Sequence, residues 1–251
     1  MRTRVKTKQE IAAMREAGRM LATVLQVVKA QVASGVSTKQ LADIAAREVQ
    51  ALGGKPSFLG YQGFPDVLCV SVNDEVVHGI PKAEKIIQTG DIVSLDFGVT
   101  YQGMITDAAL SVIAGKPVNE AHAKLLRETE RAMLEGIAVV HGQVRTGDIG
   151  AAVQRVLDKG KYGIVRDLVG HGVGHELHED PNVPNYGRPN TGPWLEKGMT
   201  IAIEPMATLG TDRVYVAADG WTIRTQDGSW AAHFEHTVLI TQDGVETLTT
   251  L

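Results

Sequence analysis

The chain has 251 residues, 43% hydrophobic and 22% charged, with a formal net charge of −4. That composition supplies the core of a globular protein of one large or two small domains, and the acidic balance argues against a general binder of nucleic acid or anionic membrane. The single cysteine, Cys69, excludes an intramolecular disulfide and fits a reducing compartment.

The opening stretch MRTRVKTKQE is polar and leads into a helix, with no apolar signal segment. No span of about 20 apolar residues follows. The expectation is a cytoplasmic protein that crosses no membrane.

Thr7 and Glu10 form a T-x-x-E capping box, followed by Ile11, Met14, Leu21, Val24, Leu25 and Val28 at helical spacing up to a stop at Gly35. Ser37 and Gln40 open a second helix that runs to about Leu52 and closes at Gly53-Gly54. A Gly- and aromatic-rich stretch comes next, with a strand predicted over Val67–Val72 and a turn at Asn73-Asp74.

Asp91–Gly115 reads as a hairpin of two β-branched-rich strands joined at Tyr101–Gln102. If Thr100 pairs with Gly103, Asp96 and Asp107 stand directly opposite one another, their Cβ atoms roughly 5 Å apart. Carboxylates that close repel unless they share a proton or hold a divalent cation between them. The plain alternative is a solvated hairpin with two exposed acids.

A helix is predicted from Asn119 to about Val140, and another from Thr146 to Lys159, ended by Gly160. A shift of 108 residues lays Val36-x-Thr38 onto Val144-x-Thr146, and Gly90–Asp96 onto Gly198–Glu204. Each half would be two helices followed by sheet, with a pseudo-twofold bringing Asp96 and Glu204 to equivalent places. This predicts one α+β domain over residues 1–251, with halves of roughly 1–115 and 116–251.

Leu168–Gly187 carries His171, His175 and His178 among glycines that oppose a helix. Its H-E-L-H-E string lacks the two-residue spacing and helical geometry of the zincin motif, so that reading is rejected. A histidine cluster in a glycine-rich loop points to metal binding or catalysis. Glu204 ends the apolar strand of TIAIEPM, although a lone strand-end glutamate is usually just solvated. Glu235 lies inside the strand of WAAHFEHTVLIT, where glutamate is disfavoured and asks for a partner. Trp221–Thr225 is expected to pair with that strand across Gln226-Asp227-Gly228.

Four carboxylates, Asp96, Asp107, Glu204 and Glu235, carry a charge of −4 that two divalent cations would balance and one would not. Oxygen-rich ligation with one imidazole suits Mn, Co, Fe or Zn, and a pair of such ions activates water for hydrolysis.

The motifs NDEVVHGIP, SLDFGV with Asp107 eleven residues after Asp96, GHGVGHELHEDPNVPNYG, IEPM and FEHT occur in order along the chain. In these the chain resembles the type I methionine aminopeptidases over essentially its whole length. The resemblance implies the pita-bread fold, a pseudo-twofold curved antiparallel sheet flanked by helices, with a metal pair at its centre. It also implies a metal-dependent hydrolase that removes N-terminal methionine from peptides and nascent chains.

By the same resemblance, Asp96, Asp107, His171, Glu204 and Glu235 are the metal-binding positions. Asp107 and Glu235 would bridge both ions, Asp96 would hold one, and His171 with Glu204 the other. His78 and His178 would contact substrate around the scissile amide, and Glu204 would take a proton from the attacking water. Phe58, Tyr61, Phe64, Cys69, Leu177 and Trp221 resemble the lining of the methionine pocket, although each taken alone reads as ordinary core.

Three positions depart from the pattern. His175 stands where arginine is frequent, and Phe58 and Leu177 replace the commoner cysteine and phenylalanine. The resemblance implies a monomer, with the ribosome as a partner suggested by the substrate class. Two alternatives are carried. One is a pita-bread peptidase for X-Pro substrates, whose relatives usually have an extra N-terminal domain. The other is a non-catalytic pita-bread binding protein, which would be expected to have lost ligands.

Overall fold

The architecture begins with four capped helices. The computed structural model describes residues 5–142 and 144–251. In α1 (Lys8–Ala30) the Thr7 hydroxyl accepts the Glu10 N–H, and the Glu10 carboxylate accepts the Thr7 N–H. Ser37 and Gln40 close the same box on α2 (Thr38–Ala51), and Asn119 caps α3 (Glu120–Ala138). Helix α4 (Thr146–Gly160) runs one residue past expectation, because Lys161, at φ 60°, takes the left-handed terminating position.

Nine strands among the described residues form one antiparallel sheet. They are β1 (Lys55–Pro56), β2 (Cys69–Val72), β3 (Ile92–Tyr101), β4 (Met104–Ile113), β5 (Gly170–Gly172), β6 (Glu179–Val183), β7 (Thr200–Ile203), β8 (Glu235–Ile240) and β9 (Val245–Thr247). The spatial order is β1-β3-β4-β8-β7-β5-β6, with β2 also pairing β3 and β9 also pairing β8. The β4–β8 contact therefore joins the two halves of the chain at the centre of the sheet.

The strands alternate between two environments. Val93, Leu95, Phe97 and Val99 of β3 pack with Leu21, Val24, Leu41 and Val49 of α1 and α2. Asp96 lies between them in sequence, so its side chain projects from the opposite face. In the second half Ile201, Ile203, Val238 and Ile240 pack with Leu125, Met133, Ile149 and Val153 of α3 and α4. Both helix pairs thus bury an apolar stripe against sheet, which is where most helical stability in proteins comes from.

The internal repeat is visible as recurring geometry. Ser37 pairs with Ile86, and the equivalent Arg145, 108 residues on, pairs with the equivalent Trp194. Gly90 and Gly198 both adopt a left-handed φ, 96° and 88°, ahead of β3 and β7. Gly90 N–H donates to Ala114 O beyond β4, and Gly198 N–H donates to Ile240 O at the end of β8.

Two expected pairings differ. Tyr101 pairs with Met104, so the hairpin turns at Gln102-Gly103, with φ of 48° and 80°. Two positive φ values make a type I′ turn, which matches strand twist and favours glycine at its second position. Asp96 consequently faces Ala109, and Asp107 faces Gly98. A two-residue shift preserves the face, so the two aspartates remain on one side as diagonal neighbours.

Ile223–Thr225 pairs with Val214–Val216 and Glu75–Val77, not with the strand carrying Glu235. That segment divides in two. Ala231–His233 pairs with Met206–Thr208, and β8 begins at Glu235. Pro205 has no N–H to extend the β7 ladder, and Phe234 N–H donates to its carbonyl at this break.

Candidate metal centre

The central strands bring together the five predicted metal-binding residues. Asp96 lies within β3, Asp107 within β4 and His171 within β5, while Glu204 follows β7 and Glu235 opens β8. The Thr237 hydroxyl accepts the Asp107 N–H at 2.9 Å and donates to the Asp107 carbonyl at 2.7 Å, clamping β4 to β8 beside the acids. Glu235 is only 2% exposed and Asp107 4%.

Burial dominates the electrostatics. It raises the carboxyl of Asp96 to about 7 and that of Glu204 to about 8. Asp107 and Glu235 are pushed well above the usual carboxylate range, first by burial and then by the neighbouring acids. Asp96 Oδ1, Asp107 Oδ1 and Glu235 Oε1 are buried without a hydrogen-bond donor. Buried, unpaired, converging carboxylate oxygens are what a hard or borderline divalent cation requires. Ligand atoms of Asp107, His171 and Glu235 lie within 4.8 Å of one another. The donor set therefore fits divalent metal.

His171 is oriented for ligation. Its Nδ1 is 2.9 Å from Gly172 O, and a carbonyl only accepts, so Nδ1 carries the proton. The Nε2 lone pair is left facing Glu204 Oε1 at 3.3 Å. Burial holds the His171 ring neutral, with its pKa lowered to about 3.

The other two predicted histidines flank this group. The His178 ring lies 4.3 Å from that of His171, centroid to centroid, and its Nδ1 is 2.7 Å from the Tyr61 hydroxyl. His78 sits at a left-handed φ of 58°, unusual for a non-glycine residue, and burial lowers its pKa to about 4. Gly79, the next residue, is pinned by its N–H to Ser71 Oγ at 3.0 Å.

All thirteen predicted site residues line one cavity of about 140 Å³, with Gln62 added. Its apolar wall is a cluster of Phe58, Phe64, Cys69 and Leu177, with Tyr61 and Trp221 packed against it. Cys69 is buried, and its thiol is pushed up by burial and by nearby Asp96, so it is a wall residue and not a thiolate nucleophile. Gly98 makes room for this wall, since a Cβ there would meet Phe58 Cε1 at 2.7 Å.

His175 stands outside the cavity lining. Its Nε2 meets Glu10 Oε1 at 2.9 Å, and its N–H donates to Glu179 Oε1, tying the histidine loop to the start of α1.

His233, not among the residues expected from the sequence, also lies beside this centre. It is 2% exposed, and its Nε2 lies 3.5 Å from Glu204 Oε2. The available signal was a histidine two residues before a strand glutamate, which ordinary alternation places on the same side.

Residues 12–242 match metallopeptidase family M24. The chain is 43% identical to methionine aminopeptidase 1 of Bacillus subtilis, covering 97% of this chain and 98% of that protein. It is 45% identical to a methionine aminopeptidase of Aquifex aeolicus, with 98% of both covered. The crystal structure of a methionine aminopeptidase from Thermotoga maritima superposes with a TM-score of 0.97 at 45% identity, over 99% of each chain. A prolidase from Pyrococcus furiosus shares the fold at a TM-score of 0.78 and 23% identity, but only 65% of that protein is covered.

Proposed function

The chain belongs to metallopeptidase family M24, and on that footing we propose that it removes the N-terminal methionine from nascent proteins and peptides. It is a metal-dependent aminopeptidase with the pita-bread fold. The observation that carries the substrate reading is the meeting of three buried acids, the partly exposed Glu204 and three histidines with an apolar, partly aromatic wall in one cavity.

We assign two divalent ions, Co, Mn, Fe or Zn, to this centre. Asp107 and Glu235 would bridge them, Asp96 would hold one, and His171 with Glu204 the other. Bound there, the ions supply Lewis-acid polarisation and an activated water. Glu204, at the end of β7 beside the other acids, would take the proton of the attacking water.

The Tyr61 hydroxyl lies 2.7 Å from His178 Nδ1, and we assign Tyr61 as the donor, which puts the remaining proton of the neutral ring on Nε2. That N–H is then a donor for the oxygen of the scissile carbonyl as it gains charge. His78 steadies the amide nitrogen of the same bond. A flexible, polarisable thioether suits the wall of Phe58, Phe64, Leu177 and Trp221.

We place the enzyme in the cytoplasm as a single-domain monomer acting on chains that leave the ribosome. No helix among the described residues is long and apolar enough to cross a membrane.

The test is turnover by metal-stripped protein titrated with Mn²⁺ or Co²⁺ on a Met-Gly-x peptide and on an X-Pro peptide. Metal-restored release of methionine, with the X-Pro peptide intact, is expected. Cleavage of the X-Pro peptide alone would overturn the substrate assignment.

A further inference from the structure

We propose that His233 is an additional metal-binding residue, placing a second imidazole in this centre beside Glu204 and Glu235. The proposal rests on the assignment of the centre made above.

Both ring nitrogens of His233 are buried and have no hydrogen-bond partner. Buried polar groups rarely stay unsatisfied, so the ring calls for an acceptor, a donor or an ion. The contact of Nε2 with Glu204 Oε2, at 3.5 Å, is too long for a good hydrogen bond. The other oxygen of the same carboxylate faces His171 Nε2 at 3.3 Å, so Glu204 lies between two imidazoles.

Ligand atoms of Glu204, His233 and Glu235 all lie within 4.8 Å of one another. Metal bonds of about 2.0–2.2 Å hold ligand atoms no more than roughly 4.4 Å apart, so small side-chain adjustments bring the three onto one ion. His171 with Asp107 and Glu235 forms a separate group of the same kind, and Glu235 belongs to both.

The position of His233 is built rather than incidental. The Ser111 hydroxyl accepts the His233 N–H and donates to the His233 carbonyl, both at 2.9 Å. Ser94 Oγ lies 2.7 Å from Ser111 Oγ; with the Ser111 proton committed to His233, Ser94 is the donor. A buried serine pair on β3 and β4 therefore fixes the backbone that aims this ring. A glutamine there keeps the backbone bonds and a similar reach but removes the imidazole.

Electron paramagnetic resonance of the Cu²⁺-loaded full chain counts imidazole nitrogens on the metal. The expected result is coupling to two imidazoles in the wild type, and to one in either His233→Gln or His171→Ala. The His171→Ala variant, with His233 intact, answers the question even if His233→Gln fails to fold. The proposal is overturned if the wild type shows one imidazole and His171→Ala removes it. No nitrogen coupling in any variant would overturn the five-residue assignment together with it.

Discussion

The Tyr61–His178 contact would set the role proposed for His178 through a single hydrogen bond. With Tyr61 assigned as the donor to Nδ1, the proton of the neutral ring is on Nε2, on the side proposed for the substrate oxygen. His178→Ala should leave metal content unchanged and lower kcat by roughly 10²–10³. Tyr61→Phe should give a smaller loss of about tenfold, because the ring remains but its tautomer is no longer enforced. Steady-state kinetics with metal analysis checks both, and loss of metal from His178→Ala would make it a ligand instead. Most of the polar site was legible in the sequence because acids and histidines are conspicuous in apolar strands and glycine loops. His233 was not, because the division of its segment at Phe234 depends on which sheet each piece joins.

At the level of elements, β3 serves two purposes through alternation. One face carries Leu95, Phe97 and Val99 into the helical core, and on the other Asp96 lines the cavity while the bare Gly98 leaves room for the Phe58 ring. Gly98→Ala should displace the Phe58 ring while leaving the acids in place. The expected outcome is normal metal binding with KM for a Met-Gly-x peptide raised about tenfold or more, measured by calorimetry and kinetics. An unchanged KM would mean the Phe58 wall does not set the pocket. The helices were legible from capping boxes and spacing, since those signals are local. The hairpin register was not. The Tyr101–Gln102 and Gln102-Gly103 turns differ by two positions in pairing, and only the φ requirement of a type I′ turn, met at Gly103, separates them. The pairing of Ile223–Thr225 was likewise hidden, because it depends on strands from distant parts of the chain.

Across the whole molecule, the repeat explains why the acids meet at the centre. Equivalent strands β3 and β7 flank the joined pair β4 and β8, so both halves deliver acids to one seam. Concentrating buried acids there couples stability to pH. Their folded pKa values are raised, so the folded chain keeps protons that the unfolded chain releases. That contribution is full below the unfolded carboxylate range and is lost as pH rises through the folded values, about 7 for Asp96 and about 8 for Glu204. His171 and His78 have lowered values, so their contribution is full above the ordinary histidine range and adds little slope there. With metal chelated, the melting temperature should fall between pH 7 and 8.5, and saturating Mn²⁺ should abolish the slope. A flat profile without metal would mean the acids are not strained by burial. The most direct test of the two-ion centre is calorimetric titration of metal-stripped protein with Mn²⁺, confirmed by elemental analysis. Two ions per chain are expected in the wild type and a loss of at least one in Asp107→Asn, with methionine release falling roughly a hundredfold. A single ion in the wild type, or two retained with full activity in Asp107→Asn, would contradict it.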